Sequence, residues 1–462
     1  MESVRTEKPK SPVTRREFLE TAIAASAALT IAPRFVLGGQ GFTPPSEKLN
    51  IACVGAGGKG ANDVEGVSSE NIYALCDVDY DRAAETLRKY PKAKKYTDWR
   101  KLLDQEKNNI DAVTVTTPDH SHAIIAMAAI KLGKHVRVQK PLTQTILEAR
   151  KLAEAVREAG VATQMGNQGH AGEGNRLICE WVWDGAIGEV REAHCWTNRP
   201  KGFWPQGEHV NRPTEIPAVP SNMNWDVWVG PSPYRPYHPA YAPHDWRGWW
   251  DFGCGAIGDM ACHIMDTAHW ALKLGHPTSV HASSTPFTDE VYPLGSVVRY
   301  KFPAREDMPP VDVTWHDGGL MPKRPEELEE GRMLGEWGGG VLLVGDEGKL
   351  MCGVYGNNPR LIPESRMQSY ELPPKTIPRS PGTYQGWIRA CKGGPPASSN
   401  FDVSGPLTEI SLLGNVAIQF ADRNQELEWD GENMRVTNLE EANEFMHQQN
   451  QYRLGWSLDQ PI

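Results

Sequence analysis

No C-x-x-C pair occurs among the eight cysteines, Cys53, Cys76, Cys179, Cys195, Cys254, Cys262, Cys352 and Cys391. A chain of 462 residues also has no need of disulfide staples. The thiols therefore read mostly as buried, with Cys53 and Cys76 in apolar strand-like runs where a free cysteine behaves as a small hydrophobe. Positive charge is in deficit: 48 Lys and Arg stand against 58 Asp and Glu, a formal net charge of -10. A nucleic-acid binder would normally show a basic face, so the charge balance argues against that class. Anchoring on an anionic membrane surface fits poorly for the same reason. Internal repeats are lacking. So are long apolar runs, apart from one short stretch near the N-terminus.

That stretch, Thr21 to Pro33, follows Thr14-Arg15-Arg16-Glu17-Phe18-Leu19. Charged, then apolar, then small-residue-rich is the order of an export signal. Paired arginines before Phe-Leu resemble the twin-arginine variety, an address read by a receptor. The apolar run is too short to cross a hydrocarbon layer of roughly 30 Å as a helix. Residues 1–46 are accordingly read as signal and linker, for export to the periplasm through the twin-arginine machinery. No clean A-x-A site is visible, so a retained tether stays open. That route carries folded proteins, often with a cofactor loaded beforehand, which implies a tightly held cofactor.

Leu49 to Val54 reads as a buried strand and runs directly into Gly55-Ala56-Gly57-Gly58-Lys59-Gly60. A helix-like segment follows, then a second strand, Ile72 to Cys76, ending at Asp77. This is the dinucleotide fingerprint in its required setting. Gly55 permits the tight turn, Gly57 lets backbone approach a pyrophosphate, and Gly60 lets helix pack on strand. Gly58 and Lys59 lie in the same turn, whose helix N-terminus offers amide donors to phosphates. Asp77, 22 residues after Gly55, can accept from ribose hydroxyls. It would repel a 2'-phosphate, which favours NAD over NADP, although Lys59 or Arg82 could offset this.

Strand and helix keep alternating through Asp111–Thr116, Ser121–Leu132, His135–Val138, Leu147–Ala159 and Ala162–Met165. Such alternation predicts an α/β fold with a doubly wound parallel sheet, whose ligands sit at the carboxyl ends of the strands. Two clusters fall there: Thr117-Pro118-Asp119-His120-Ser121-His122 and Gln139-Lys140-Pro141-Leu142.

At this point the chain resembles the Gfo/Idh/MocA oxidoreductases, the family of glucose–fructose oxidoreductase and inositol dehydrogenase. The resemblance implies a Rossmann domain, here 47–170. It implies a following α/β domain on a large, open, mostly antiparallel sheet, here 171–462. It further implies a homo-oligomer and a small carbohydrate substrate. Thr117 and Pro118, with His120 and His122, match the family's nicotinamide-side loop. As residues, the two histidines read equally as loop-shaping or catalytic. Lys140 matches the lysine of an E-K-P motif beside the nicotinamide. Gln139 stands where that motif has glutamate.

Gly255 to Asp266 reads as helical and resembles the family's G-x-x-x-D-x-x-x-H stretch. Asp259 and His263 are then i and i+4 neighbours, and Asp266 is i+3 from the histidine. An imidazole between two carboxylates would have its tautomer fixed and its basicity raised. By resemblance His263 is the general base, Lys140 polarises the same hydroxyl, and Asp259 orients substrate or base; Asp266, beside the histidine, is placed with the substrate-binding residues. No further ligands appear at metal-site spacing, so no metal is expected. Sixteen tryptophans are present, several between Trp225 and Trp270. Aromatics interspersed with Tyr237, His244 and Arg247 suit a sugar, or equally an aromatic core under a Pro-rich loop. Ala304 to Gly340 reads as a long excursion. Hydride transfer to or from a sugar alcohol is the expected reaction. A glycosidase or lyase acting by transient oxidation and an inactive sugar sensor are the alternatives.

Overall fold

Six short strands form the first sheet: β1 (Asn50–Val54), β2 (Asn71–Cys76), β3 (Lys94–Tyr96), β4 (Ala112–Val115), β5 (His135–Val138) and β6 (Thr163–Met165), with β1, β2 and β4 the most apolar. Their order is β3-β2-β1-β4-β5-β6, and every pairing is parallel. Strands that read as continuous apolar runs are those covered on both faces. Here the covering helices include His122–Lys131, buried along nearly its whole length, and Ile146–Ala159. The latter opens on a reciprocal capping box between Thr145 and Glu148 and stops at left-handed Gly160. The computed structural model describes residues 47–460. The export signal expected over 1–46 lies outside the described residues.

The strand order reverses between β1 and β4, so the carboxyl edges of the sheet open a crevice there. Gly55, Asp77, Thr116–Pro118, Gln139–Lys140 and Gly166–Gln168 follow β1, β2, β4, β5 and β6 in turn. One edge therefore carries most of the first half's candidate residues.

The second sheet has nine strands: β7 (Val190–Thr197), β8 (Ser279–Ser284), β9 (Ser296–Phe302), β10 (Val311–His316), β11 (Gly339–Gly345), β12 (Lys349–Cys352), β13 (Arg360–Ile362), β14 (Leu427–Asp430) and β15 (Arg435–Val436). Its order is β13-β12-β11-β7-β10-β9-β8-β14-β15. Only β7 and β10 pair in parallel. The excursion expected over 304–340 is corrected by β10, a strand inside this sheet. Val311-Asp312-Val313-Thr314-Trp315 alternates at the strand period, and Val311, Val313 and Trp315 point into the core.

Helix Gly255–Ala271 packs on this sheet and against helices Glu173–Trp183 and Phe401–Gln419. It is buried almost all round, as a helix apolar on every side should be. Residues 50–460 lie in one compact unit. The cysteines are all free thiols, and only Cys391 is not fully buried. Among the described residues, no helix is long and apolar enough to cross a membrane. The Trp-rich stretch mostly builds a satellite core of Trp225, Trp228, Tyr241, Trp246, Trp249 and Phe252, with Trp225 stacked on Trp228 at 4.5 Å.

Candidate active site

The turn after β1 tolerates no side chain. A Cβ at Gly55, whose φ is +84°, would stand 2.2 Å from the Thr116 carbonyl oxygen. One at Gly60 would stand 2.2 Å from the Gly55 carbonyl oxygen. Gly57 lies against Arg82, and so does Gly58, which has a φ of +55°. The Ala56 and Gly57 amides donate to Asp77 Oδ2 at 2.8 and 2.9 Å, and Asp79 N–H donates to Oδ1 at 2.9 Å. The acid thus clamps the turn to the end of β2, and burial raises its pKa. Gly55, Gly57, Lys59 and Asp77 all line a cleft of about 450 Å3. Gly58 and Gly60 do not line it and pack against Arg82 and the Gly55 carbonyl instead.

Beneath the turn lies a carboxylate that the sequence reading passed over. Asp63 is fully buried and accepts from Thr116 Oγ1 (2.8 Å), Arg137 Nη1 (3.0 Å), Gln139 Nε2 (2.7 Å), Tyr384 Oη (2.8 Å) and Lys59 Nζ. Burial alone would raise its pKa, but Arg137 and then Lys59 hold it well below the carboxylate range. Gln139 has a partner here that a glutamate could have only as a second buried acid. Arg137, itself 2% exposed, depends on Asp63 as its counter-ion. Asp63→Ala should cost about 3 kcal/mol of folding stability, since it leaves a buried guanidinium unpaired. Urea unfolding of the two proteins checks this, and equal midpoints would contradict it.

The reacting end of the cleft gathers Lys140, Asp259 and His263. Lys140 donates from Nζ to Asp259 Oδ1 at 2.6 Å and to the Asp259 carbonyl at 2.7 Å. Burial would raise the Asp259 pKa, but Lys140, Arg247 and Arg199 together hold it well below the usual range. His263 follows one turn later on the same helix face. The flanking by two carboxylates expected for His263 is corrected by the structure. Its Nδ1–H donates to Asn167 Oδ1 at 3.1 Å, which fixes the tautomer and leaves Nε2 as the acceptor. Burial first and Lys140 second push its pKa well below 6.5, so its basicity is lowered, not raised. A neutral imidazole is the competent form of a base.

Asp266, expected with the substrate, points elsewhere. It is fully buried, accepting from His170 at 2.8 Å and from Asn175 Nδ2 at 3.1 Å. Three helix positions rotate it about 60° from His263, enough to turn it away from the cleft. Tyr237 packs edge-on against Trp225 in the satellite core and does not line the cleft, whereas His244 and Arg247 do. His120 and His122, placed with the cofactor residues, also lie behind the surface. The ring nitrogens of His120 meet the Phe252 and Trp228 carbonyls (3.1 and 2.8 Å), and those of His122 the Pro141 and Thr117 carbonyls (2.8 and 2.9 Å). They hold the loop that presents Thr117 and Pro118. Burial lowers both pKa values, that of His122 to about 4.

Asn167, Arg199, Tyr355 and Asp119 also line or support the cleft, and no motif in the sequence assigns them a role. Asn167 could have been suspected, because it follows β6 at the active edge. Tyr355 packs edge-on to His263 at 4.7 Å with a φ of +68°. Backbone strain of this kind concentrates at functional sites, and the local sequence does not signal it. Asp119 lines the cleft while only 4% exposed. Burial first raises its pKa to about 7, opposed by Arg247, Lys140 and the Cys254 thiol and assisted by Asp259. A carboxyl raised this way stabilises the fold in its neutral form. That contribution is full below its unfolded value near 4 and is lost as pH rises through about 7. Asp119→Asn should therefore raise the melting temperature at pH 8 and leave it unchanged near pH 4. A gain at both pH values would contradict the assignment.

A glycine turn on a parallel sheet, an acid at the end of the second strand and a Lys/Asp/His group thus share one cleft. Residues 49–167 match the NAD-binding Rossmann fold of the Gfo/Idh/MocA oxidoreductase family, and residues 196–295 match that family's C-terminal alpha/beta domain. Levoglucosan dehydrogenase from Pseudarthrobacter phenanthrenivorans is 24% identical over 42% of this chain and 41% of its own length. Glycosyl hydrolase family 109 protein 1 from Shewanella sp. (strain ANA-3) is 28% identical over 38% of this chain and 44% of its own. The chain thus spans about two-fifths of the length of the curated relatives it matches. In fold it is similar to the WlbA dehydrogenase from Bordetella pertussis, solved with NADH and UDP-GlcNAcA, with a TM-score of 0.56 and 18% identity over 82% of this chain and 98% of that one. The glycine cradle, which an added Cβ would fill, and the Asp77 carboxylate fit a nicotinamide dinucleotide.

Proposed function

We propose that the protein transfers hydride between a secondary alcohol of a sugar or sugar derivative and a tightly held nicotinamide dinucleotide, NAD in preference to NADP. The carrying observation is the meeting of Lys140, Asp259 and His263 in the cleft that also receives the glycine turn. When bound, the dinucleotide supplies the hydride acceptor or donor. Lys140, held by Asp259, presents its remaining N–H to the reacting hydroxyl oxygen and stabilises the charge that develops there. His263 Nε2 accepts the hydroxyl proton, and Asn167 keeps that nitrogen free for it. Asp77 and Asp79 line the cleft beside the glycine turn, where their carboxylates would disfavour a 2'-phosphate. Tight retention also accords with export in the folded state, as the paired arginines near the N-terminus suggest.

A second reading is favoured by the likeness to glycosyl hydrolase family 109. Transient oxidation next to a leaving group would permit elimination, with the hydride returned afterwards. The test follows bound-nicotinamide absorbance and released aglycone while purified holoenzyme meets a panel of free sugars and aryl glycosides. Reduction without cleavage supports the dehydrogenase, and cleavage without net reduction supports the second reading. Neither signal, despite binding, would overturn both.

A further inference from the structure

Three cations and one fully ionised carboxylate meet at the reacting end of the cleft. Asp259 receives Lys140 at 2.6 Å, Arg247 Nε at 3.4 Å and Arg199 Nε at 3.7 Å. The arginines come from far apart in the chain. Arg199 follows β7, and Arg247 lies in the short turn Asp245–Gly248. Neither is a loose surface side chain, with 21% and 25% of the side chain exposed. Each guanidinium is shelved on an aromatic ring, Arg199 at 3.1 Å from the Phe203 centroid and Arg247 at 4.3 Å from that of Trp246. Both rings line the same cleft.

The donors of these groups are only partly used. Arg199 Nη1 donates to Asn198 Oδ1 at 3.1 Å, and Arg247 Nη1 to the His244 carbonyl at 3.3 Å. Among the described residues, neither Nη2 has a hydrogen-bond partner. The nearby His263 is neutral, and Asp119, whose pKa burial raises to about 7, is only partly charged at neutral pH. An excess of between one and two positive charges is left in a half-buried place. Such an excess is costly unless an anion enters with the ligand. The dinucleotide phosphates have their own setting at the glycine turn, where Arg82 lies against Gly57 and Gly58.

We infer that the substrate is a sugar acid, whose carboxylate is held by the unspent guanidinium donors of Arg199 and Arg247. Planar forks match a planar carboxylate bidentately, and aromatic shelves fix their orientation. A single negative charge answers the excess, while the neutral remainder of the sugar lies against Trp204 and Trp246. This inference rests on the proposed hydride transfer for what happens after binding, but not for binding itself.

The experiment is calorimetry on the dinucleotide-loaded protein, pairing D-glucuronate with D-glucose and D-galacturonate with D-galactose, and adding D-glucose 6-phosphate. At least one uronate should bind about ten-fold tighter than its parent sugar or more, and the preference should shrink as salt rises. Arg199→Gln and Arg247→Gln should collapse the uronate-to-parent ratio toward one. Arg→Lys at either position should restore part of it through charge without the fork. A parallel loss for both sugars would mark a merely structural role and overturn the inference. So would equal affinity for acid and parent, tighter binding of the phosphate, or no saturable uronate binding. Should the ratio hold while no sugar reduces the nicotinamide, the proposed reaction fails and the carboxylate site stands.

Discussion

Lys140→Ala is expected to lower kcat/KM for the reacting sugar by about 10³-fold or more, some 4 kcal/mol of transition-state stabilisation. Two effects combine. The nearest donor to the reacting oxygen is removed, and Asp259 loses its closest cation, at 2.6 Å. The remaining arginines stand at 3.4 and 3.7 Å, too far to replace that hydrogen bond. The uncompensated carboxylate would then oppose charge growing on the hydroxyl oxygen. Steady-state kinetics and single-turnover nicotinamide absorbance read the loss. Retention of more than a tenth of wild-type kcat would contradict the assignment.

His263→Ala should cost about 10³-fold in kcat/KM, within the range of a lost general base. The nucleotide should stay bound, because His263 belongs to helix Gly255–Ala271 while the glycine turn follows β1. Mass spectrometry of the denatured variant tests that half of the expectation. The pH profile tests the other. Burial and Lys140 depress the His263 pKa, so the base form persists through neutral pH. The acid limb of kcat/KM should then lie well below the ordinary histidine value near 6.5. Asp119→Asn is the proper background, since a carboxyl titrating near 7 lines the same cleft. An acid limb at or above pH 7 in that background would exclude His263 as the base. Asn167→Ala should weaken the same limb more than it changes KM, because it frees the tautomer without touching the hydroxyl.

Much of the first sheet was legible because parallel strands advertise themselves. Buried on both faces, β1, β2 and β4 are short, mostly apolar runs, and helices must separate them. β3 is an exposed Lys-Lys-Tyr edge and carries no such run. The glycines were legible for a stricter reason, since only a residue without Cβ fits where Thr116 and Gly55 carbonyls approach to 2.2 Å. Lys140, Asp259 and His263 could be nominated from their motifs, and the structure brings all three to one cleft. What failed was partnership. Helical spacing suggested that Asp259 and Asp266 both serve His263, yet Asn167, 96 residues away, holds its ring, and Asp266 serves His170. Tyr237 went astray similarly: an aromatic among polar residues suits a sugar face or a core, and local sequence cannot choose.

By itself the sequence determined the strand–turn–helix that takes a dinucleotide, the acid at the end of β2, and the residue types able to move a proton and steady an alkoxide. These follow from spacing along one element, where geometry is fixed by backbone periodicity. Only the tertiary structure decided which of those groups meet. It set Asp63 under Gln139 and Arg137, gave Asp259 three cations, lowered the His263 pKa by burial, and turned Arg199 and Arg247 toward the same space. Hydrogen bonds, burial and charge balance depend on neighbours brought together from distant parts of the chain, and no local pattern encodes them.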